Sequence, residues 1–159
     1  MIFESIKNNL ELNQFEIISM DHSRPWGGFF VIAEQQAQKF ADTFFGRLDI
    51  SALKISGKLS PKILVVAPGK RLSWQYHNRR AEIWRVVSGK VEIKRSFNDE
   101  ECGSEVLKVG DKVILQQGER HRLIGLEDFA VIAEIWQHTD EENPSNEDDI
   151  VRLQDDFGR

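Results

Sequence analysis

The sequence predicts an all-β sandwich or barrel. Three observations carry that prediction: a series of short β-branched and aromatic runs from residue 62 onward, Pro- and Gly-containing turns between them at roughly regular spacing, and a single good helical segment at residues 34–45. At 159 residues the chain is long enough for one domain with a sizeable core and too short for two. Its 40% apolar and 30% charged residues are an ordinary globular composition, which argues against global disorder.

Residues 1–20 mix apolar and polar positions and suit a short helix or an edge strand. Ser23-Arg24-Pro25-Trp26-Gly27-Gly28 is a turn, and residues 29–33 read as a short strand. Residues 34–45 contain good helix formers and no Gly or Pro. Ala37, Phe40, Ala41 and Phe44 fall at helical spacing, and Gly46 ends the segment. Residues 62–67 are apolar and β-branched, and Pro68-Gly69-Lys70 is the next turn. Leu72, Trp74 and Tyr76 then alternate with Ser73, Gln75 and His77. The long run at 82–94 is broken by Ser88-Gly89-Lys90. Shorter strands follow at 105–109, 112–115, 121–124 and 129–136. Residues 140–147 are expected to be a mobile loop, and 148–153 a last strand through Ile150, Val151 and Leu153. The domain therefore divides into an N-terminal extension with a helix (1–60), a barrel core (61–139), and an acidic loop with a C-terminal strand (140–159). Trp74, opposite to Gln75 on its strand, is expected in a sheet-packing interface, and His22 and His138 at the surface.

The formal net charge of −5 hides an asymmetry. Residues 140–149 hold six acids and no base. Residues 69–95 hold eight bases against two acids, Glu82 and Glu92. A basic block suits an anionic partner, although on charge alone solvated strand edges explain it better. It lacks the interleaved aromatics of single-strand binders, and no helical reader motif accompanies it, so no nucleic acid is expected. No apolar run approaches the ~20 residues of a membrane helix, and residues 1–17 lack the basic-then-apolar pattern of a signal peptide. The single cysteine, Cys102, excludes an intrachain disulfide framework and a CxxC zinc site, and is assigned no catalysis. A cytoplasmic protein with no membrane partner is the expectation.

Two of the four histidines sit in informative contexts. Gln75 and His77 are two apart on a strand and share a face. A turn through 78–81 brings Glu82 onto the next strand, and Gly118-Glu119-Arg120-His121 adds a histidine on a third. Imidazole, carboxylate and amide oxygen converging inside a barrel make a mixed N/O site for a divalent cation, which needs neutral histidine and ionised glutamate.

These stretches resemble the two motifs of the cupins: Gly69, Gln75, His77, Glu82 and Gly89 for the first, Gly110, Gly118 and His121 for the second. Gln75 stands where many cupins have His, Gln116 where Pro is usual, and Gly125 where Asn is frequent. Four stretches sharpen the match: Arg24-Pro25-Trp26-Gly27; Gln75 to Gly89; Gly118-Glu119-Arg120-His121-Arg122; and Glu147 to Arg159. Together, and in that order, they resemble the type II phosphomannose isomerases, in which the first ligand is also Gln. That resemblance implies a cupin jelly roll, with one divalent ion (Zn, Mn, Co, Ni or Fe) held by Gln75, His77, Glu82 and His121.

It further implies interconversion of mannose 6-phosphate and fructose 6-phosphate through a cis-enediolate, whose charge the metal would stabilise as a Lewis acid. Arg80, in the turn between two ligands, is implied as a functional residue acting on the enediolate or on phosphate. That overlap with the site turns the reading of the basic block toward an anionic substrate for Arg80, while Lys90, Lys94 and Arg95 stay solvated. Arg122, Arg152 and Arg159 are further phosphate candidates, with surface salt bridging as the alternative. Glu134, inside an apolar strand, is the candidate proton-transfer base or else faces outward from an edge strand. The family often has His at positions 78, 79 and 83, where Asn78, Arg79 and Ile83 stand. The segment between Gly27 and Lys62 is also longer than expected and could cap the barrel mouth. That insert leaves open an isomerase or epimerase of another phosphosugar. In the family this domain usually follows a guanylyltransferase domain; no Gly-rich nucleotide loop opens this chain, so that activity is not expected. A non-catalytic cupin binding a sugar or nucleotide sugar therefore also stays open. A homodimer is expected, because cupins commonly pair.

Overall fold

The computed structural model describes residues 1–46, 48–51, 53 and 58–159. The chain opens with α1 (Ile2–Leu12), β1 (Ile17–Arg24) and β2 (Gly27–Ile32), and a 3-10 turn at Glu34–Gln36 leads into α2 (Ala37–Phe44). The barrel strands are β3 (Lys62–Val66), β4 (Trp74–Tyr76), β5 (Arg80–Ser88), β6 (Val91–Ser96), β7 (Ser104–Leu107), β8 (Lys112–Leu115), β9 (Arg120–Gly125), β10 (Ala130–His138) and β11 (Val151–Gln154). They form two antiparallel sheets, in the orders β1-β2-β3-β10-β5-β8 and β11-β4-β9-β6-β7. This double-sheet jelly roll is the architecture the motifs imply. No helix among the described residues is long and apolar enough to cross a membrane.

All five residues of β3 are buried, because both faces of the six-stranded sheet are covered. Alternation sorts them. Leu64 and Val66 join the core between the sheets with Trp84, Val86, Ile93, Leu123 and Ile132. Ile63 and Val65 face the other way and pack with α1 and α2 in a second cluster that includes Leu10, Phe40 and Ala41. Lys62 shares the inward phase of Leu64 and Val66. Gly27 is needed where β2 meets β3: its φ of +139° is rarely open to other residues, and a Cβ there would lie 1.9 Å from the Val65 carbonyl oxygen.

Helix α2 was expected as a possible cap on the barrel mouth. It instead covers the outer face of the six-stranded sheet, with Phe40 packed edge-on to Phe15 and at a tilt against Phe44 and Phe45. That face offers Phe30, Ile32, Ile63, Val65 and Ile135, and leaving such side chains in water would cost about 1.5–3 kcal/mol each. Trp74 is buried, but not between the sheets: the loop after β6 closes over it, and its indole N–H donates to the Asp99 carbonyl at 2.7 Å. Exposed Cys102 lies in the same loop.

Strand β5 begins at Arg80 and β10 continues to His138, each two residues beyond the apolar runs that announced them. The extra residues face one another across the sheet, His138 opposite Arg80. They lie on the inward face, where the chemistry is.

Candidate functional site

Alternation on two long neighbouring strands builds one wall. Glu134 pairs with Trp84, Trp136 with Glu82, and His138 with Arg80. On the other side of β10, Lys62 is opposite Glu134. The facing sheet contributes Gln75 on β4, paired with His121 on β9, and His77 just beyond β4. Between the walls lies a cavity of about 430 Å³ lined by Gln75, His77, Arg80, Glu82 and Glu134 among others. His121 is buried behind them.

His77, Glu82 and His121 bring their ligand atoms within 4.8 Å of one another, all buried. His77 Nε2 is 2.6 Å from Glu82 Oε1, and His121 Nε2 is 3.8 Å from the same oxygen. Each imidazole is oriented by a backbone carbonyl. His77 Nδ1 donates to Asp149 at 2.7 Å and His121 Nδ1 to Glu119 at 3.0 Å. Both Nε2 atoms therefore point inward. His121 Nε2 is buried with no hydrogen-bond partner. Burial lowers the pKa of His121 to about 4, which keeps the ring neutral. An orphaned imidazole lone pair beside an ionised carboxylate fits a divalent cation. Gln75 reaches the same cavity, with its Oε1 accepting from the Ser73 hydroxyl at 2.9 Å.

Burial tends to raise the Glu82 carboxyl, but His77 and Arg80 outweigh it and hold the group well below the ordinary range. Arg80 makes this contact through Nε at 3.2 Å. Its Nη1 donates to Ser145 Oγ (2.9 Å) and the Asn146 carbonyl (3.1 Å), and its plane lies 3.6 Å over Trp136. Glu134 goes the other way. Burial, then the charge of Glu82, pushes its carboxyl well above the ordinary range. The two indoles hold it, Trp84 Nε1 at 2.7 Å and Trp136 Nε1 at 2.8 Å. Glu134 is thus inside the barrel, and the edge-strand alternative is wrong.

The arginine candidates divide. Arg152, paired in register with Gln75, and Arg159, bound to Asp155 at 2.8 Å, both line the cavity. Arg122 does not. It faces away from His121, fully buried, with Nε donating to the Leu72 carbonyl (2.8 Å), Nη1 to Glu101 (3.0 Å) and Nη2 to Gln154. It ties β9 to β11 and to the segment before β4, so it is a structural cross-link and not a phosphate ligand. His138, expected at the surface, is fully buried: Nδ1 accepts from Ser145 N–H at 2.9 Å, and Nε2 is 3.2 Å from Ser60 Oγ.

The segment 140–147, expected to be mobile, is tied to the site: Ser145 Oγ and the Asn146 carbonyl accept from Arg80, and Glu147 pairs with Lys62. Just beyond it, Asp149 accepts from Asn78 N–H and Arg79 N–H, each at 2.9 Å, and from Ser145 Oγ at 2.6 Å. Two further cavity cations, Lys62 and Arg24, escaped the sequence reading. The phase of Lys62 with Leu64 and Val66, and the place of Arg24 in the Arg-Pro-Trp-Gly motif, were the available signals.

A jelly-roll barrel that brings two histidines and a glutamate from facing sheets into one buried cluster beside a cavity defines the class: a cupin with a candidate metal centre. The chain belongs to the mannose-6-phosphate isomerase C-terminal family, whose model matches residues 13–155. It is 33% identical over 115 residues to the xanthan biosynthesis protein XanB of Xanthomonas campestris pv. campestris. It is 31% identical, over the same length, to the alginate biosynthesis protein AlgA of Pseudomonas aeruginosa. Each match covers 68% of this chain and 21% of the relative, so the chain spans about a fifth of their length. Among solved structures, CapF with inhibitor 3-isopropenyl-tropolone superposes with a TM-score of 0.59 at 18% identity, over 86% of this chain and 34% of that one. That likeness is one of fold.

Proposed function

We propose that this chain is a metal-dependent aldose–ketose isomerase interconverting mannose 6-phosphate and fructose 6-phosphate. The observation that carries the reading is the placement of Glu134 in one polar cavity with His77 and Glu82, the cluster's His121 lying just behind them, in a chain of this family. Isomerisation moves a proton between C1 and C2 through a cis-enediolate. The mover must be basic enough to take a proton and acidic enough to return it near neutral pH. Glu134 suits that task because its carboxyl is raised and its two indole donors fix its direction. Gln75, His77, Glu82 and His121 would hold a divalent ion, which supplies Lewis-acid stabilisation of the enediolate oxygens. Arg80 adds fixed positive charge on the same side, with its plane held by Trp136. Arg152 and Arg159 offer phosphate contacts at the cavity wall.

The alternative of a different phosphosugar rested on an insert reaching the mouth. Among the described residues between Gly27 and Lys62, Phe29 lines the cavity and no residue from 33 onward does, so the described part of the helical insert does not favour that alternative. The test is a coupled isomerase assay on metal-reconstituted protein with mannose 6-phosphate, beside His77→Ala. Turnover that exceeds the variant's supports the reading. Equal rates in the two, with metal bound to the wild type, overturn it.

A further inference from the structure

Among the described cations that line the cavity, Lys62 is the one ammonium, and neither metal binding nor proton transfer uses it. Its side chain is 6% exposed, and its Nζ sits 4.6 Å from the Trp136 ring centre and 4.8 Å from that of Phe29. Its carboxylate partner in an ion pair is Glu147. That partner is unlike it: the Glu147 side chain is 63% exposed and belongs to the acidic segment between β10 and β11. A buried charge stripped of its partner pays a large desolvation penalty, whereas an exposed carboxylate returns to water at little cost. The pair is therefore asymmetric. Glu147 can leave, and Lys62 then requires another anion. Arg24 stands on the same aromatic, 5.6 Å from the Phe29 ring centre, and lines the same cavity.

We propose that Lys62, with Arg24 beside it, anchors the substrate's phosphate monoester, to which Arg152 and Arg159 add contacts from the cavity wall, and that the Glu147 carboxylate occupies this anchor until the phosphate displaces it. This rests on the phosphosugar reading for its ligand. Glu147 then acts as a built-in competitor. It neutralises Lys62 when no substrate is bound and sets an affinity threshold for anions. The neighbouring Asp149 keeps its bonds to Asn78 and Arg79 throughout, so Glu147 swings out without unpinning His77.

Calorimetric titration of the full, metal-loaded chain with inorganic phosphate, mannose 6-phosphate and mannose tests this. Glu147→Gln removes the competitor's charge from an exposed position and is expected to bind phosphate about tenfold more tightly than wild type. Lys62→Met keeps the apolar stem in its aromatic box and is expected to bind at least tenfold more weakly. Mannose 6-phosphate should follow the same order, and mannose should not distinguish the three proteins. A pair that only braces the fold would move the melting temperature and leave phosphate affinity alone. Equal or weaker phosphate binding by Glu147→Gln overturns the proposal, even if Lys62→Met does not fold. Phosphate binding in the expected order without isomerase turnover would overturn the isomerase reading and keep the subsite. Turnover with unchanged phosphate affinity in both variants would do the reverse.

Discussion

Trp84 donates its indole N–H to Glu134 Oε2 at 2.7 Å, and the same N–H lies 3.0 Å from Glu82 Oε2. One donor therefore sits between two fully buried carboxyls. Two adjacent carboxylates cannot both ionise cheaply in a poorly solvated site. Their environments settle which one does. Glu82 has His77 and Arg80 against it and is driven down, while Glu134 has burial and Glu82 itself against it and is driven up. This divergence separates an ionised ligand from a proton carrier.

Glu134→Gln removes the transferable proton and keeps the shape. Turnover is expected to fall by about 10²–10⁴. The melting temperature is expected to fall, because the new amide nitrogen faces one of the two indole N–H donors that the carboxyl oxygens accept. The coupled assay and a thermal melt check both. Turnover within a factor of a few of wild type would remove Glu134 from proton transfer.

Asp149 orients His77 through its carbonyl and braces the 78–79 turn through both carboxylate oxygens. Asp149→Asn replaces one acceptor oxygen with a donor that faces a backbone N–H. Metal affinity, measured by chelator competition, should fall about 10–100-fold. Stability in urea should fall by about 1–3 kcal/mol. Full metal affinity in the variant would mean that His77 is held by other contacts.

His77→Ala/His121→Ala removes two of the three clustered ligands. Metal analysis of purified protein should find bound metal in the wild type and little in the double variant. Equal metal in both would show that the ligand set is wrong.

The ligand pattern was legible because it is local. Gln75 and His77 share a face by strand alternation alone, and Glu82 and His121 lie near the starts of the next inward-facing strands. Lys62 was harder, since a strand buried on both faces reads as one apolar stretch and conceals its phase. Arg122 was not legible. Its partners Leu72, Glu101 and Gln154 lie 21 to 50 residues away, and nothing local says that β9's outward face is covered there. Nor does amphipathicity say which surface a helix will cover. Residues 34–45 announced an apolar face, and only the assembled sheet placed it outside the barrel, away from the mouth.

Arg122 as a cross-link has its own consequence. Arg122→Met strands the Leu72 carbonyl and the Gln154 contacts, and should cost about 2–3 kcal/mol in urea unfolding. Phosphate affinity should stay within about twofold of wild type, as for any group outside the cavity. Tenfold weaker phosphate binding with unchanged stability would restore Arg122 as a substrate contact.

His138 makes stability depend on acidity. Its pKa is lowered from 6.5 to about 4, first by burial and then by the charges of Lys58 and Arg80. Above pH 6.5 the ring is neutral in the folded and unfolded chains alike, and the contribution is complete. Between 6.5 and 4 the unfolded chain binds a proton that the folded one refuses, so stability falls as the pH falls. From pH 7 to pH 5 the loss from this one group is about 2 kcal/mol. The proton also takes the Nδ1 lone pair that holds Ser145, so the acidic segment loosens with it. His138→Gln offers an amide oxygen to Ser145 and does not titrate. Urea unfolding at the two pH values should therefore show a smaller drop in the variant than in the wild type, by about that amount. Equal drops would mean that His138 is protonated in the folded chain as readily as in the unfolded one.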